Sequence, residues 1–408
     1  MLSLYHIYTK TLKVLQLCHK PPYPPIDGGC IAINNISTGL VKENIDLKLL
    51  TVSTHKHPFN PKNIPEEWLS STKAQGVFVD TKLNIVDAFS SLVTNDSYNI
   101  SRFFSADFDI LLTNTLRGEK FDIVHLESLF MAPYIGTIKR LSKAKIVLRS
   151  HNLEYMIWQR MANASKNSMK TVYLNHLARQ LKDYEISVIK QVDGIASISP
   201  KDAERYMEIE KAEHIVTIPF GLNLDEYKPE NNKTDAKGLF HLGAMDWMPN
   251  IEGVNWFLKN SWGQINEMFP DLQLYLAGKS SESYSPPCKL KNINLLGEVK
   301  DAKEFMNSHK VMLVPLLSGG GIRIKIIEGM ALGKTVISTT IGAEGIKYED
   351  GVNIIIADTE KEFLDAITKL NNNPELIDII GRNARINVEK HYDNSVLSKN
   401  LVSFYKSL

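Results

Sequence analysis

Short apolar runs alternate with longer amphipathic segments along all 408 residues, in two successive series. Runs of four to eight apolar residues separated by helical patterns read as parallel strands joined by helical crossovers. In the first series the expected strands are Val14–Cys18, Leu47–Val52, Asp122–Leu126, Lys145–Leu148, Gly194–Ile198 and His214–Ile218. The stretch Glu154–Val192 has no Pro or Gly and is expected to form one or two helices. The second series has expected strands at Leu239–Gly243, Leu272–Ala277, Ile293–Leu296, Val311–Pro315, Thr335–Ser338 and Asn353–Ile356. Helices are expected between them at Asn250–Met268, Ala302–Ser308, Ile322–Leu332 and Glu360–Asn371. Two such series predict an α/β protein of two Rossmann-like, doubly wound parallel-sheet domains. Ligands of such sheets sit outside the carboxyl ends of the strands, so two facing sheets predict a cleft.

The seam is expected in Pro219–Lys237, where a Pro- and Gly-bearing stretch passes into a polar one. The expected domains are therefore 1–219 and 220–391, with a C-terminal helix over 392–408 packing back on the first. Hydrophobic residues make up 43% of the chain, enough for a core in each domain. The formal charge of +1 argues against a dedicated nucleic-acid binder. It divides unevenly, for Ser101–Lys190 has 14 basic residues against 8 acidic ones. A solvated face is the default reading of that excess, and weak peripheral approach to an anionic membrane is the alternative. Three widely spaced cysteines indicate neither a disulfide scaffold nor a zinc site. Without a signal-like leader or about 18 consecutive apolar residues, the expected location is the cytoplasm, with the inner membrane face as a variant.

The most informative segment is Val314-Pro-Leu-Leu-Ser-Gly-Gly-Gly-Ile-Arg-Ile-Lys-Ile-Ile-Glu-Gly-Met-Ala-Leu-Gly-Lys. A strand ends, three glycines follow, and a helix begins. Gly319, Gly320 and Gly321 let backbone amides approach a phosphate, and the helix aims its unpaired N–H groups at the same point. Arg323 and Lys325 add positive charge there, which the helix dipole disfavours unless an anion is bound. Glu328, about one turn on, could accept two hydrogen bonds from a ribose diol. The competing reading is an ordinary turn with a surface Lys325–Glu328 pair.

These residues resemble the donor-site signature of the family-4 retaining glycosyltransferases, closest to a branch with Gly-Gly-Gly-x-Arg-x-Lys before the final Glu. Phe240-His-Leu-Gly-Ala-Met-Asp-Trp-Met-Pro-Asn, Ile218-Pro-Phe-Gly-Leu-Asn-Leu-Asp, Arg149-Ser-His-Asn-Leu-Glu and Gly342-Ala-Glu-Gly agree in order. The resemblance implies the GT-B fold, with acceptor bound mainly by the first domain and nucleotide-diphosphate sugar mainly by the second. It implies metal-independent, cofactor-free hexosyl transfer with retention, UDP or GDP being undecided, onto a saccharide or lipid-linked acceptor in surface polysaccharide or glycoconjugate synthesis. Donor contacts are then expected from Gly28, Gly29, Gly243, Gly319, Gly320, Gly321, Ile322, Glu328 and Gly342.

In the wider family a Glu-x7-Glu motif places its first Glu on the donor sugar. Here Gly320 stands in that position, so the sugar contact must come from elsewhere. Relatives also have an Arg and a Lys after the first strand of the second domain. This chain has Gly243-Ala-Met-Asp-Trp-Met-Pro-Asn, and Arg323 and Lys325 are expected to replace that charge. Asp246 and Asn250 could position the nucleotide, Asn250 being equally readable as a helix N-cap. His151 follows an expected strand and looks like the family's histidine beside the donor sugar, with a buried structural histidine as the alternative. His125, Glu127 and Asn152 are acceptor candidates, the first two equally readable as a satisfied pair. Departure at Gly320 leaves a catalytically silent subunit open, and the shared fold leaves a sugar-nucleotide epimerase.

Overall fold

The computed structural model describes residues 11–80, 104–164, 168–210, 214–229, 235–319 and 321–408. The chain divides into two compact units, 1–221 with 397–408, and 222–396.

In the first unit the elements are β1 (Lys13–Cys18), α1 (Gly28–Lys42), β2 (Asp46–Ser53), α2 (Glu66–Thr72), β3 (Gln75–Phe78), α3 (Ala106–Gly118) and β4 (Ile123–Glu127). They continue with α4 (Ile135–Leu141), β5 (Lys145–Ser150), α5 (Glu154–Ala164), α6 (Ser168–Ile189), β6 (Gly194–Ser197), α7 (Pro200–Glu210) and β7 (Ile215–Thr217). The strands form one parallel sheet in the order β3-β2-β1-β4-β5-β6-β7. Central β1 is buried on both faces, as expected of a strand covered by crossover helices on each side. Asp27 caps α1 by accepting from the Cys30 amide, and Ser105 caps α3 in the same way. Glu154–Val192 resolves into two helices, α5 and α6. β3 was not expected, because this short edge strand is largely exposed and lacks an apolar alternation.

The second unit has β8 (Asp235–Leu242), α8 (Met248–Phe257), α9 (Gly263–Met268), β9 (Gln273–Ala277), β10 (Ile293–Gly297), α10 (Ala302–Asn307) and β11 (His309–Val314). It closes with α11 (Ile324–Ala331), β12 (Thr335–Ser338), β13 (Ile355–Ile356), α12 (Glu360–Asn372) and α13 (Pro374–His391), and α14 (Asn394–Ser407) follows. This sheet is also parallel, ordered β10-β9-β8-β11-β12-β13. The helix expected to begin at Asn250 begins at Met248 and passes through a π-turn at Leu258–Trp262 before α9. The helix expected from Ile322 begins at Ile324, which places Arg323 at the N-cap.

Leu397, Leu401, Val402, Phe404 and Tyr405 of α14 are buried with Val14, Ile36, Val147 and Ala196 of the first unit. Gly194 makes room for them, since a Cβ there would lie 2.7 Å from Phe404 Cζ. In each sheet the strand order reverses at one place, between β1 and β4 and between β8 and β11. The carboxyl ends beside that reversal are where an open α/β sheet presents ligand-binding residues.

α8 lies against the end of β11 so closely that a Cβ on Gly253 would sit 2.2 Å from the Pro315 carbonyl oxygen. Gly253→Ala is therefore expected to cost about 1–3 kcal/mol by overpacking. On α4, Gly136 has open space where its Cβ would be, and Gly136→Ala should stabilise by about 0.4–1 kcal/mol. Urea denaturation reads both; an unshifted midpoint for Gly253→Ala would show the α8–β11 contact to be yielding.

Candidate active site

In the first unit, polar side chains converge at the ends of β1, β4 and β5. Glu127, the last residue of β4, is fully buried. Gln16 Nε2 donates to its Oε1 at 3.0 Å, and His125 Nε2 lies 3.2 Å from the same oxygen. Arg149 Nη1 donates to Oε2 at 3.2 Å, and His151 Nε2 pairs with it at 2.9 Å. Burial alone would push this carboxyl up. The Arg149 guanidinium and the two histidines outweigh it and hold Glu127 well below the usual carboxylate range.

The Tyr405 hydroxyl lies 2.6 Å from His125 Nδ1, closing the far side. His151 alone among these ionisable partners reaches the surface, its side chain 18% exposed against 0–1% for the others. Burial lowers its pKa, partly offset by the Glu127 hydrogen bond, so a neutral imidazole is favoured. Donation from Nε2 to Glu127 then leaves Nδ1 with a lone pair. His19, directly after β1, joins the group. Its Nδ1 lies 2.8 Å from the Glu127 carbonyl oxygen, and its ring meets that of His151 edge-on at 5.9 Å.

His125 and Glu127 are fully enclosed and paired with each other, which is the satisfied-pair reading and not the acceptor contact. Asn152 is committed elsewhere: its side chain bonds Glu154, and its carbonyl accepts from Ser150. Gly28 and Gly29 open α1, but at Gly29 the close approach is already occupied. A Cβ on Gly29 would meet Lys20 Nζ at 2.3 Å, and Lys20 is paired with Asp27 at 2.8 Å. Asp27, Cys30 and His57 bring ligand atoms within 4.8 Å of one another. A cation there would have to displace Lys20 from Asp27 and deprotonate a thiol that burial pushes up to about 11, so the group fits a capped helix start.

In the second unit, the loop after β11 runs through Gly319 and Gly321, both with positive φ (+97° and +87°), a backbone shape that glycine adopts freely. Gly320 lies outside the described residues. Arg323 is 7% exposed, which excludes a solvated helix residue. Its Nη1 donates to the Gly321 carbonyl at 2.6 Å, and its guanidinium stacks over Trp247 at 5.4 Å. Lys325 Nζ donates to Asn250 Oδ1 at 3.2 Å. Burial first, and Arg323 second, bring its pKa down to about 7. Asn250 donates in turn to the Ala244 carbonyl, so it is the lysine's partner and not an N-cap.

Gly243 makes this fit possible: a Cβ there would lie 2.6 Å from Asn250 Nδ2 and 3.0 Å from His241 Nε2. His241 is fully buried, with Nδ1 at 2.9 Å from the Leu313 carbonyl. Its Nε2 has no hydrogen-bond partner among the described residues. Burial, then Lys325, lowers its pKa to about 3, so it stays neutral.

The surface Lys325–Glu328 pair does not form. Glu328 Oε1 instead accepts from the Tyr227 hydroxyl at 2.7 Å. Asp246 is exposed and paired with Lys279 at 2.6 Å. Gly342 spends its amide on Thr339 Oγ1 at 2.9 Å and is buried in its turn, which explains the glycine without a donor. Ile322 is half-buried and sits where a Cβ on Gly345 would touch it at 2.9 Å. His19, His241 and Tyr227 were not singled out in the sequence. His19 and His241 lie at carboxyl ends beside the strand-order reversals, a signal that could have found them. Tyr227 is 101 residues from Glu328 and had none.

Residues 27–226 match the model of Glycosyltransferase Family 4, and residues 236–373 match that of Glycosyl transferases group 1. A protein encoded in the cps region of Klebsiella pneumoniae, of 44.6 kDa, is 24% identical over 288 residues, 68% of this chain and 72% of that one. The phosphatidyl-myo-inositol mannosyltransferase of Mycobacterium leprae is 26% identical over 226 residues, 52% of this chain and 59% of that one. Anabaena HepE, solved in complex with UDP, superposes with a TM-score of 0.62 at 12% identity, covering 97% of this chain and 100% of that one. The two parallel sheets with their flanking helices make this a GT-B fold. The chain is a glycosyltransferase of the family 4 and group 1 type.

Breaking the Glu127 network would leave Arg149 buried without its counter-charge. Glu127→Ala is expected to cost about 3–5 kcal/mol. Its depressed pKa makes this contribution present above the unfolded carboxyl value of about 4.3 and lost as pH falls through the lower folded value. Urea unfolding of parent and variant across acid pH checks it. A difference below about 1 kcal/mol at neutral pH would contradict the network's role.

Proposed function

We propose that the chain moves a hexosyl-type sugar from a nucleotide-diphosphate sugar to a hydroxyl of a saccharide or lipid-linked acceptor, with retention, in surface polysaccharide or glycoconjugate synthesis. One observation carries the reading: Arg323, buried, and Lys325, half-buried, sit together at the start of α11. Helix dipole, burial and mutual repulsion all disfavour two cations there, and a diphosphate would relieve all three. UDP and UDP-glucose bound to HepE support a nucleotide-sugar donor, and the cps-region relative and the phosphatidyl-myo-inositol mannosyltransferase support the acceptor class. On this reading the second unit holds the donor and the first holds the acceptor. No metal is required, because the leaving diphosphate meets Arg323, Lys325 and the N–H groups opening α11.

The sugar C1–O bond to the diphosphate breaks, and the negative charge that grows on the departing oxygen would be met by these donors. The acceptor oxygen bonds C1 from the same face, and its proton passes to the leaving phosphate. His151, neutral and anchored through Nε2, has the Nδ1 lone pair to accept from a sugar hydroxyl. Glu328, oriented by Tyr227, keeps acceptor capacity for a ribose hydroxyl.

A thermal-shift panel of UDP, GDP and their sugars should raise Tm for one base, by an amount equivalent to about 2.7 kcal/mol at a hundredfold excess over Kd. Arg323→Ala with Lys325→Ala should abolish that shift and lower kcat by about a hundredfold or more. Absence of any shift in the parent would overturn the reading in favour of a silent subunit. Turnover of the nucleotide sugar to an epimer without acceptor would overturn it in favour of an epimerase.

Lys325, with a pKa of about 7, should also take up a proton when the diphosphate arrives. Calorimetry in two buffers of different ionisation enthalpy at pH 7 should show uptake of about half a proton. Lys325→Ala should remove it, and uptake that persisted would place the proton on another group.

A further inference from the structure

α5 and α6 pack on one another, and their inner faces join the core of the first unit through Trp158, Tyr155, Leu181 and Val188. A surface helix is usually polar outside. Here the outer face of α6 presents Met169 (80% exposed), Val172 (71%) and Tyr173, spaced i, i+3 and i+4. α5 adds exposed Ile157 and Met161, spaced i and i+4. Single exposed apolar residues are ordinary, but aligned stripes on two packed helices are not.

The charge around them is mostly positive, Asp183 being the one exposed acid among the described residues of the two helices. Between Glu154 and Asp183 the sequence has five Lys and Arg and no Asp or Glu. Of these, Arg160, Lys170, Arg179 and Lys182 are exposed on the two helices. A solvated helix face normally intersperses both signs to form several i,i+4 pairs, and here the exposed residues offer one, Arg179 with Asp183.

We propose that the outer face of the α5–α6 hairpin docks on an anionic lipid membrane, with Met169, Val172, Tyr173, Ile157 and Met161 entering the interface and the cations meeting lipid headgroups. Apolar stripes flanked by Lys and Arg are the pattern of helices that lie in the plane of a bilayer surface. Among the described residues no helix is long and apolar enough to cross a membrane, so the contact is superficial. α5 starts three residues after His151. Docking would therefore hold the His151 turn beside the bilayer, where a lipid-borne acceptor hydroxyl arrives. That consequence rests on the proposed transfer; the membrane contact does not.

Cosedimentation of the full chain should show binding to vesicles of phosphatidylcholine with phosphatidylglycerol and little to phosphatidylcholine alone, falling as salt rises. Met169→Ser with Val172→Ser should weaken it markedly. Lys170→Ser with Arg179→Ser should weaken it about twenty-fivefold, at about fivefold per cation. All four side chains are exposed, so the variants should keep the parent's Tm and its response to nucleotides. Equal binding to both vesicle types, binding to neither, or full binding by the variants would overturn the proposal. A concentration-dependent dimer in sedimentation equilibrium, broken by Met169→Ser with Val172→Ser, would give this face to a second copy instead. A failed vesicle result with an intact nucleotide shift would leave the transferase reading standing.

Discussion

A carboxylate with no solvent contact organises the first unit. Glu127 gathers Gln16 from β1, His125 from its own strand, and Arg149 and His151 from β5 and the turn beyond it. Taking that charge out of water is tolerable only because every lone-pair direction meets a donor and one donor is a guanidinium. Tyr405 of α14 completes the shell through His125, so the last helix of the chain and a central strand depend on one hydrogen-bonded group. The result reaches solvent at a single ring, that of His151, held in orientation from behind.

The second unit concentrates charge of the other sign and leaves it near the surface. Glycines at 319 and 321 bend the loop so that Arg323 can bond back to it and lie on Trp247. Gly243 leaves the space in which Asn250 reaches Lys325. His241 beneath them stays neutral and adds no third cation. Internal compensation in one unit and a pair of cations offset in part by Glu344 in the other are different solutions to burying charge.

Much of this architecture was legible, for physical reasons that differ by element. Strands buried on both faces are predominantly apolar, so β1, β5 and β12 stood out in the sequence despite Gln16 and Arg149. The exposed edge strand β3 is under no such demand and did not. The glycine loop and its cations were readable because their chemistry is local, within seven residues from Gly319 to Lys325. The true environments of Glu127, Glu328 and His125 were not, since their partners lie 111, 101 and 280 residues away and burial decides their role. Asn250 shows the same limit at shorter range. Its position beside a helix start suggested a cap, and only the fold sets Lys325 against it.

The turn that carries His151 is held from its other side by a chain whose protons can be counted. Ser150 Oγ donates to the Asn152 carbonyl at 2.9 Å, which uses its one hydrogen. The Tyr206 hydroxyl lies 2.7 Å from Ser150 Oγ and 2.9 Å from Glu185 Oε1. Its single proton cannot serve both contacts, and a protonated Glu185 supplies the missing one. Burial agrees, raising Glu185 to about 8 and Glu154 to about 7. Near neutral pH the acids at the root of the α5–α6 hairpin thus lose much of their negative charge, while its outer face keeps every positive one. The protonation that completes the support of His151 also lowers the negative charge beside the basic, apolar face of the hairpin.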